Sequence, residues 1–107
     1  MPKYLVQGSY TADGAKGLLK DGGSKRRAAV EEMAKSYGGK VEAFYYALGD
    51  SDVFVIIDGP DNVTAAAASL AVNAVGAVRL KTTALLTAEE MDQAAKKGVT
   101  YRPPGTS

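Results

Sequence analysis

The fold of this chain is decided by the stretch Tyr45–Ile57, which reads YYALGDSDVFVII. Two apolar, β-prone runs flank a short break of Gly, Asp and Ser, and this pattern predicts a hairpin with the break as its turn. The second run, Val53–Ile57, is apolar at every position, as is typical of a strand buried on both faces. We therefore expect strand Asp52–Ile57 at the centre of a sheet. The more mixed strand Val41–Leu48 is expected nearer an edge, with Gly49 free to take a positive φ in the turn.

The rest of the chain predicts further strands and helices around this hairpin. Two adjacent glycines, Gly22 and Gly23, interrupt the first helical stretch, and Ser24 is expected to cap the segment that follows. The predicted strands are Tyr4–Tyr10 and Arg79–Leu86, and the predicted helices are Thr11–Leu19, Lys25–Tyr37, Asn62–Val78 and a short C-terminal helix that starts with a capping box at Thr87. Residues 1–98 form one domain, and residues 99–107 are predicted to be an extended, Pro-rich tail.

The order of these elements is β-α-β-β-α-β plus a C-terminal helix, which is the ferredoxin-like unit of the α+β class. In that topology four antiparallel strands lie in the order 4-1-3-2, and both main helices cover one face of the sheet. The other face is left open although the third strand is apolar on both sides. Two protomers that pack these faces together would bury it.

Several short motifs in the chain resemble those of the GYD domain family of small bacterial proteins. They are Gly49-Asp50-Ser51-Asp52 with the following Gly59-Pro60-Asp61, the segment Tyr10–Gly14, Arg27, Gly38-Gly39 and Gly76–Arg79. The resemblance extends from about Tyr4 to Met91. It implies a fold of the dimeric α+β barrel type and a family mostly without an assigned activity. Ser51 stands where the family name places a Tyr, so no role of that Tyr is carried over to this chain.

Composition excludes several kinds of chemistry. The chain has 107 residues, a net charge of +1, no Cys and no His. Disulfides, thiolate nucleophiles and the commonest metal and haem ligands are therefore absent, and we expect neither a metal nor a cofactor. A nearly neutral chain does not indicate binding to nucleic acid or to a membrane surface. The start of the chain shows no signal peptide, so a soluble, cytoplasmic protein is expected.

Topology places a set of polar side chains at one end of the sheet. The ends of the first and second strands and the starts of the third and fourth strands meet there, and they bring Tyr10, Tyr46, Asp52 and Arg79 to one rim. A carboxylate, a guanidinium and two phenols in one place can bind a polar ligand. The alternative is structural, with Asp52 capping turn amides or pairing with Arg79. The sequence assigns no catalytic residue.

Two further surfaces bear on partners. The segment Asn62–Val78 has no charged residue, whereas an ordinary surface helix has one charged face. Together with the open face of the sheet, it predicts a homo-oligomer, at least a dimer. The basic cluster Lys25-Arg26-Arg27 is best interpreted as the solvent-exposed start of a helix. The functional alternative is that Arg27 contacts an anion.

Four classes of function are consistent with these features. The first is an oligomeric small-molecule-binding protein of the dimeric α+β barrel type. The second is a cofactor-independent enzyme of monooxygenase or isomerase type, which the lack of His disfavours. The third is a purely structural or assembly protein. An RNA-binding module shares the order of elements, but it requires basic, aromatic central strands that this chain lacks.

Overall fold

Four strands and four helices lie within residues 1–105, the part of the chain that the structure, a computed structural model, describes. The strands are β1 (Lys3–Tyr10), β2 (Lys40–Tyr46), β3 (Val53–Asp58) and β4 (Val78–Leu85). The helices are α1 (Ala12–Asp21), α2 (Gly23–Ser36), α3 (Asn62–Val75) and α4 (Ala88–Lys96). The predicted order of elements is therefore confirmed, including the C-terminal helix.

The strands form one antiparallel sheet in the order β2-β3-β1-β4, so that β3 is central and β2 lies at an edge, as predicted. Val55 of β3 lies opposite Val6 of β1 and Phe44 of β2. Helices α1 and α2 connect β1 to β2, and α3 connects β3 to β4. The ferredoxin-like fold is thus confirmed.

The alternation of side chains along β3 determines where the core lies. Val53, Val55 and Ile57 face the helices and are 4–6% exposed, whereas Phe54 and Ile56 face the opposite side and are only partly buried. On the helical side Ala34 of α2 is fully buried against this row. One face of the sheet therefore holds the core, and no helix packs on the other face within residues 1–105.

The turn between β2 and β3 differs from the one predicted. The loop Ala47–Asp52 is closed by a hydrogen bond from the Ala47 N–H to the Asp52 carbonyl, at 2.8 Å. Gly49 does not adopt a positive φ, so that expectation is wrong; the glycines that do, within residues 1–105, are Gly22, Gly38, Gly76, Gly98 and Gly105. A loop of this length reverses the chain without the left-handed residues that a two-residue hairpin turn needs.

The junction between α1 and α2 is a single glycine. Gly22 has a φ of 83°, and its N–H donates to the Leu18 carbonyl at 2.8 Å, which ends α1. Helix α2 begins at the next residue without a side-chain cap. The prediction that Ser24 is the cap is therefore wrong, because Ser24 already lies in the first turn of α2. At the other end of α1 the Thr11 hydroxyl accepts from the Gly14 N–H at 3.3 Å, as an N-cap should.

The C-terminal arm, Leu86–Gly105, projects away from the rest of the chain. Helix α4 has the predicted capping box between Thr87 and Glu90, yet every one of its residues is exposed. The Cα radius of gyration is 17.2 Å, against about 13 Å for a compact domain of this length. The predicted tail starts inside this arm, and its last two positions, residues 106 and 107, lie outside the described residues.

Candidate functional site

A cleft of about 140 Å³ opens on the helical face of the sheet, between α2 and α3. Its floor is the buried face of the central strands, with side chains such as Val6 and Val55. Val30 and Met33 of α2 form one wall, and Ala68 and the rest of the inner side of α3 form the other. The lining is almost entirely apolar.

The sequence of α3 explains why this space is not filled. The side of α3 that faces the sheet carries mostly small side chains, among them Ala65, Ala68 and Ser69. Most of its larger apolar side chains point outwards instead: Val63 is 79% exposed and Leu70 is 71% exposed, whereas Val72 lines the cleft. Because α2 packs over β2 and α3 packs over β4, small side chains on the inner side of α3 cannot reach across the space between the two helices.

One end of the cleft carries two phenols that the sequence analysis had selected. Tyr10 lines the cleft, and the Tyr46 hydroxyl donates to the Gly23 carbonyl at the start of α2, at 3.0 Å. Burial raises the pKa of the Tyr10 phenol above its ordinary value, the nearby Tyr46 phenol raises it further, and the Arg26 guanidinium acts in the opposite direction. Tyr10 is therefore protonated at neutral pH and can donate a hydrogen bond.

Asp52 lies at this same end, but its carboxylate is engaged with the backbone. It accepts a hydrogen bond from the Tyr10 N–H at 2.9 Å, and the Asp52 N–H donates to the Gly8 carbonyl at 2.7 Å. Asp52 thus fastens the β2–β3 loop to the end of β1 and fixes the backbone that carries the Tyr10 ring.

Arg79 lies at the same end of the sheet but on the opposite face. Val78 lines the cleft opposite Tyr10, and the next residue along β4, Arg79, lies opposite Ser9 with its side chain on the open face. Within residues 1–105, Asp52 and Arg79 form no ion pair. The structure therefore brings Tyr10, Tyr46 and Asp52 together and separates Arg79 from them.

Arg26 is the residue at this end that the sequence analysis did not select. It lines the cleft beside the phenols and is partly buried. The signal was present in the helical spacing, because Arg26 lies four residues before Val30 and seven before Met33, on the same stripe of α2. Arg27, the residue that the sequence analysis considered for an anion contact, is 54% exposed. It lies 3.7 Å from the Glu31 carboxylate on the solvent-exposed side of the helix.

The far end of the cleft is closed by other aromatic side chains. The buried Tyr4 donates from its hydroxyl to Asn62 Oδ1 at 2.6 Å. Tyr37 at the end of α2 is partly buried, and this burial raises the pKa of its phenol. Among the side chains of residues 1–105 that line the cleft, none is a carboxylate. The polar groups of the cleft are therefore phenols, one guanidinium, and the hydroxyls of Ser69 and Thr82, which are hydrogen-bonded to each other at 2.7 Å.

Two other kinds of site are missing from residues 1–105. No group of three or more acidic side chains in residues 1–105 is placed to hold a metal ion. No helix found there combines the length and the apolar character that crossing a bilayer requires.

Comparisons with known proteins identify the family of this sequence. The GYD domain family matches residues 4–95, from β1 to the end of α4. A protein of Thermus thermophilus named glutamine synthetase and cystathionine beta-lyase binding protein is 30% identical over 82 residues, which are 77% of this chain and 85% of the relative. No solved structure matches the chain.

Proposed function

This chain belongs to the GYD domain family, and on that premise we propose that it is a homo-oligomeric protein that binds a small, mainly apolar molecule in the cleft between α2 and α3. The cleft is the observation that carries the proposal. A chain without Cys makes no use of an oxidising compartment, which supports a cytoplasmic location.

The size of the cleft supports a binding role. Protein interiors are close-packed, and an enclosed void of 140 Å³ would cost about 3 kcal/mol at about 24 cal/mol per Å³. That cost is an upper bound here because the cleft is open on one side. An apolar cavity of about 150 Å³ accepts a benzene-sized molecule. The ligand body should therefore be about the size of one ring.

Binding is preferred to catalysis because of what surrounds the space. The Asp52 carboxylate already accepts from the Tyr10 N–H, and the sequence holds neither His nor Cys. Acid–base chemistry would then fall to phenols such as Tyr10, whose pKa is raised by burial, and a protonated phenol is a poor base at neutral pH. A cofactor-independent enzyme is therefore the weaker alternative.

The test compares two neighbouring alanines of α3. Ala68 lines the cleft, whereas Ala67 is exposed on the outer side of the helix. We expect phenylacetamide, a neutral ring-sized probe, to shift the amide NMR signals of residues around the cleft, such as Gly59 and Val72. Ala68→Leu should abolish these shifts and Ala67→Leu should leave them. Shifts that are absent in the native chain, or that survive in Ala68→Leu, would disprove binding in the cleft.

The open face of the sheet supports the homo-oligomer. On this face Leu5 of β1 lies opposite Ile56 of β3, Phe54 lies two residues before Ile56, and Tyr45, which is opposite Phe54, is 71% exposed. This apolar patch lies beside polar residues of the same face, such as Gln7 and Lys81. It supports an interface because a Phe or Ile side chain left in contact with water forfeits up to about 1.5–3 kcal/mol. A two-fold axis through the face would let each copy cover the other.

Light scattering at micromolar concentration tests this interface. We expect the native chain to have at least twice the protomer mass of 11.1 kDa. Ile56→Lys should shift it to the monomer, because it places a charge in the buried face. Leu19→Lys is the matched control, since Leu19 is 87% exposed on α1 and away from the sheet. A monomeric native chain would contradict the proposal.

A second candidate function is binding to other proteins. The name of the Thermus thermophilus relative describes a binding protein for two enzymes, and the C-terminal arm of this chain offers an uncovered apolar surface. Leu86 is 61% exposed, Met91 55%, Val99 86% and Tyr101 72%. A nine-residue helix such as α4 is marginal in water unless it packs on something, so a partner that covers this arm would stabilise it.

Biolayer interferometry with purified glutamine synthetase and purified cystathionine beta-lyase tests this second candidate. If the arm is the contact, the double variant Met91→Asp/Tyr101→Asp should lose binding. Val63→Asp should retain it, because Val63 is similarly exposed but lies on α3. Equal binding by both variants would place the contact elsewhere on the chain.

A further inference from the structure

We propose that the ligand of the cleft is a monocarboxylate with a ring-sized apolar body, and that Arg26 binds its carboxylate. This inference rests on the proposed function and adds to it the chemical class of the ligand and the residue that selects that class. It also assigns a binding role to a residue that neither the motifs nor the family match points to.

Arg26 differs from the basic residues on either side of it. The Lys25 ammonium lies 3.9 Å from the Asp21 carboxylate, and the Arg27 guanidinium lies 3.7 Å from the Glu31 carboxylate. Arg26 has no carboxylate within salt-bridge distance among residues 1–105, although it is the most buried of the three. A partly buried guanidinium that faces an apolar space is poorly hydrated, and a bound anion would compensate for this.

The surroundings of Arg26 favour an anion in the same position. Tyr10 lines the same end of the cleft, and its phenol, which lies within hydrogen-bond reach of Tyr46, can donate to a bound anion in place of Tyr46. Arg26 also lies in the first turn of α2, which contains no acidic residue and has no side-chain cap. The positive end of the helix dipole therefore adds to the attraction, while the nearby Asp21 carboxylate, which precedes α2, is paired with Lys25 at 3.9 Å.

The chemistry of the site selects a carboxylate among anions. A guanidinium is planar and matches the two oxygens of a carboxylate with two parallel hydrogen bonds. One guanidinium balances one negative charge, and within residues 1–105 it is the only charged side chain that lines the cleft. A phosphate monoester would bring a second negative charge into an apolar space without a partner. The cavity volume of about 140 Å³ then limits the body of the ligand to about one ring.

The experiment compares probes of one size and different charge by calorimetric titration of the full chain. The probes are phenylacetate, its neutral amide phenylacetamide, and phenyl phosphate. We expect phenylacetate to bind about 10- to 100-fold more tightly than phenylacetamide, since hydrogen bonds to a charged group contribute more than neutral ones. Phenyl phosphate should bind less tightly than phenylacetate.

Two arginine variants assign this preference to a residue. Arg26→Met removes the charge and keeps much of the apolar stem, and Arg27→Met makes the same change in net charge one residue away. We expect the preference for phenylacetate over phenylacetamide to collapse in Arg26→Met and to persist in Arg27→Met. Arg26→Lys should keep part of the preference, because it retains the charge and loses the planar fork. Circular dichroism of each variant shows that it is folded.

Each way of failing points to a different error. If neither phenylacetate nor phenylacetamide binds the native chain, the proposed function is wrong and this inference falls with it. If both bind equally well, the cleft binds small molecules but does not select an anion. If the preference survives in Arg26→Met, another group binds the carboxylate, and if phenyl phosphate binds as tightly as phenylacetate, the ligand class is wrong.

Discussion

Filling the cleft should stabilise the protein when no ligand is present. Ala68→Leu adds three carbons to a side chain that already faces the unfilled space of about 140 Å³. At about 0.8 kcal/mol per buried methylene the gain is at most about 2.4 kcal/mol, and ordering the leucine side chain costs about 0.5–1 kcal/mol. Leucine and alanine are both good helix formers. We therefore expect the free energy of unfolding to rise by up to about 1.5–2 kcal/mol.

Urea denaturation at 25 °C measures this change. The protomer concentration is held constant, because the apparent stability of an oligomer depends on it. The midpoint should move to higher urea with an unchanged slope, and Tm should rise by about 4–8 °C per kcal/mol. Ala67→Leu is the control, and because Ala67 is exposed its effect should stay within about 0.5 kcal/mol.

Two results would refute the reasoning. If Ala68→Leu destabilises the protein by more than about 1 kcal/mol, the added carbons are overpacked and the space between α2 and α3 is not available. If Ala68→Leu and Ala67→Leu have the same effect, the inner side of α3 is no more enclosed than the outer side. Either result would also remove the basis for proposing that a ligand binds in the cleft.

Three more predictions follow from individual contacts. Gly14→Ala should destabilise the protein by about 2 kcal/mol or more in urea denaturation, because a Cβ there would lie 1.8 Å from the backbone oxygen of Ala77. An unchanged midpoint would contradict this packing of α1 against Ala77. Asp52→Ala should lower the free energy of unfolding by about 1.5–3 kcal/mol, since it removes the charged acceptor of the Tyr10 N–H. Asp52→Asn should retain most of the stability, and it should weaken the binding of cleft ligands if it displaces the Tyr10 ring. Hydrogen bonds from the first turn of α3 lower the pKa of Asp61. The Asp61 carboxylate therefore stabilises the fold above its unfolded pKa of 3.8, and this stabilisation is lost as the pH falls through the lower folded pKa. The acid denaturation of Asp61→Ala should accordingly depend less on pH in that range.

The proposed ligand site and the proposed self-interface use opposite faces of the sheet. The cleft lies over the side of β3 that carries Val55, and the open face carries Phe54 and Ile56. Two copies that pack their open faces together would therefore leave both clefts accessible. Oligomerisation and ligand binding can then be tested separately, with Ile56→Lys for the first and Ala68→Leu for the second.

The local patterns of the sequence determined the elements and their order. The apolar run Val53–Ile57 predicted a central strand because a strand that is apolar at every position is typical of one covered on both faces. Thr87 and Glu90 predicted the start of α4 because a capping box acts within one turn of a helix. These features depend on residues a few positions apart, and the sequence displays them directly.

The errors fall where two local solutions were both possible. Gly49 was expected at positive φ, but the loop Ala47–Asp52 is long enough to turn without it. Ser24 was expected to cap a helix, but Gly22 ends α1 and allows α2 to begin at once. In both places the backbone conformation depends on how the flanking strands or helices approach each other, and the residues of the turn do not determine that.

Only the tertiary structure decided which residues share the candidate site. The topology predicted from the sequence placed Tyr10, Tyr46 and Asp52 at one end of the sheet. It placed Arg79 there too, because the order of strands predicts which residues lie at one end but not which of them lie on the same face. The partner of the phenols in the cleft is Arg26, which arrives from a helix rather than from a strand. The cleft itself exists because α2 and α3, far apart in sequence, stand at a distance that the small side chains of α3 do not bridge, and that distance is set by the sheet on which both helices pack.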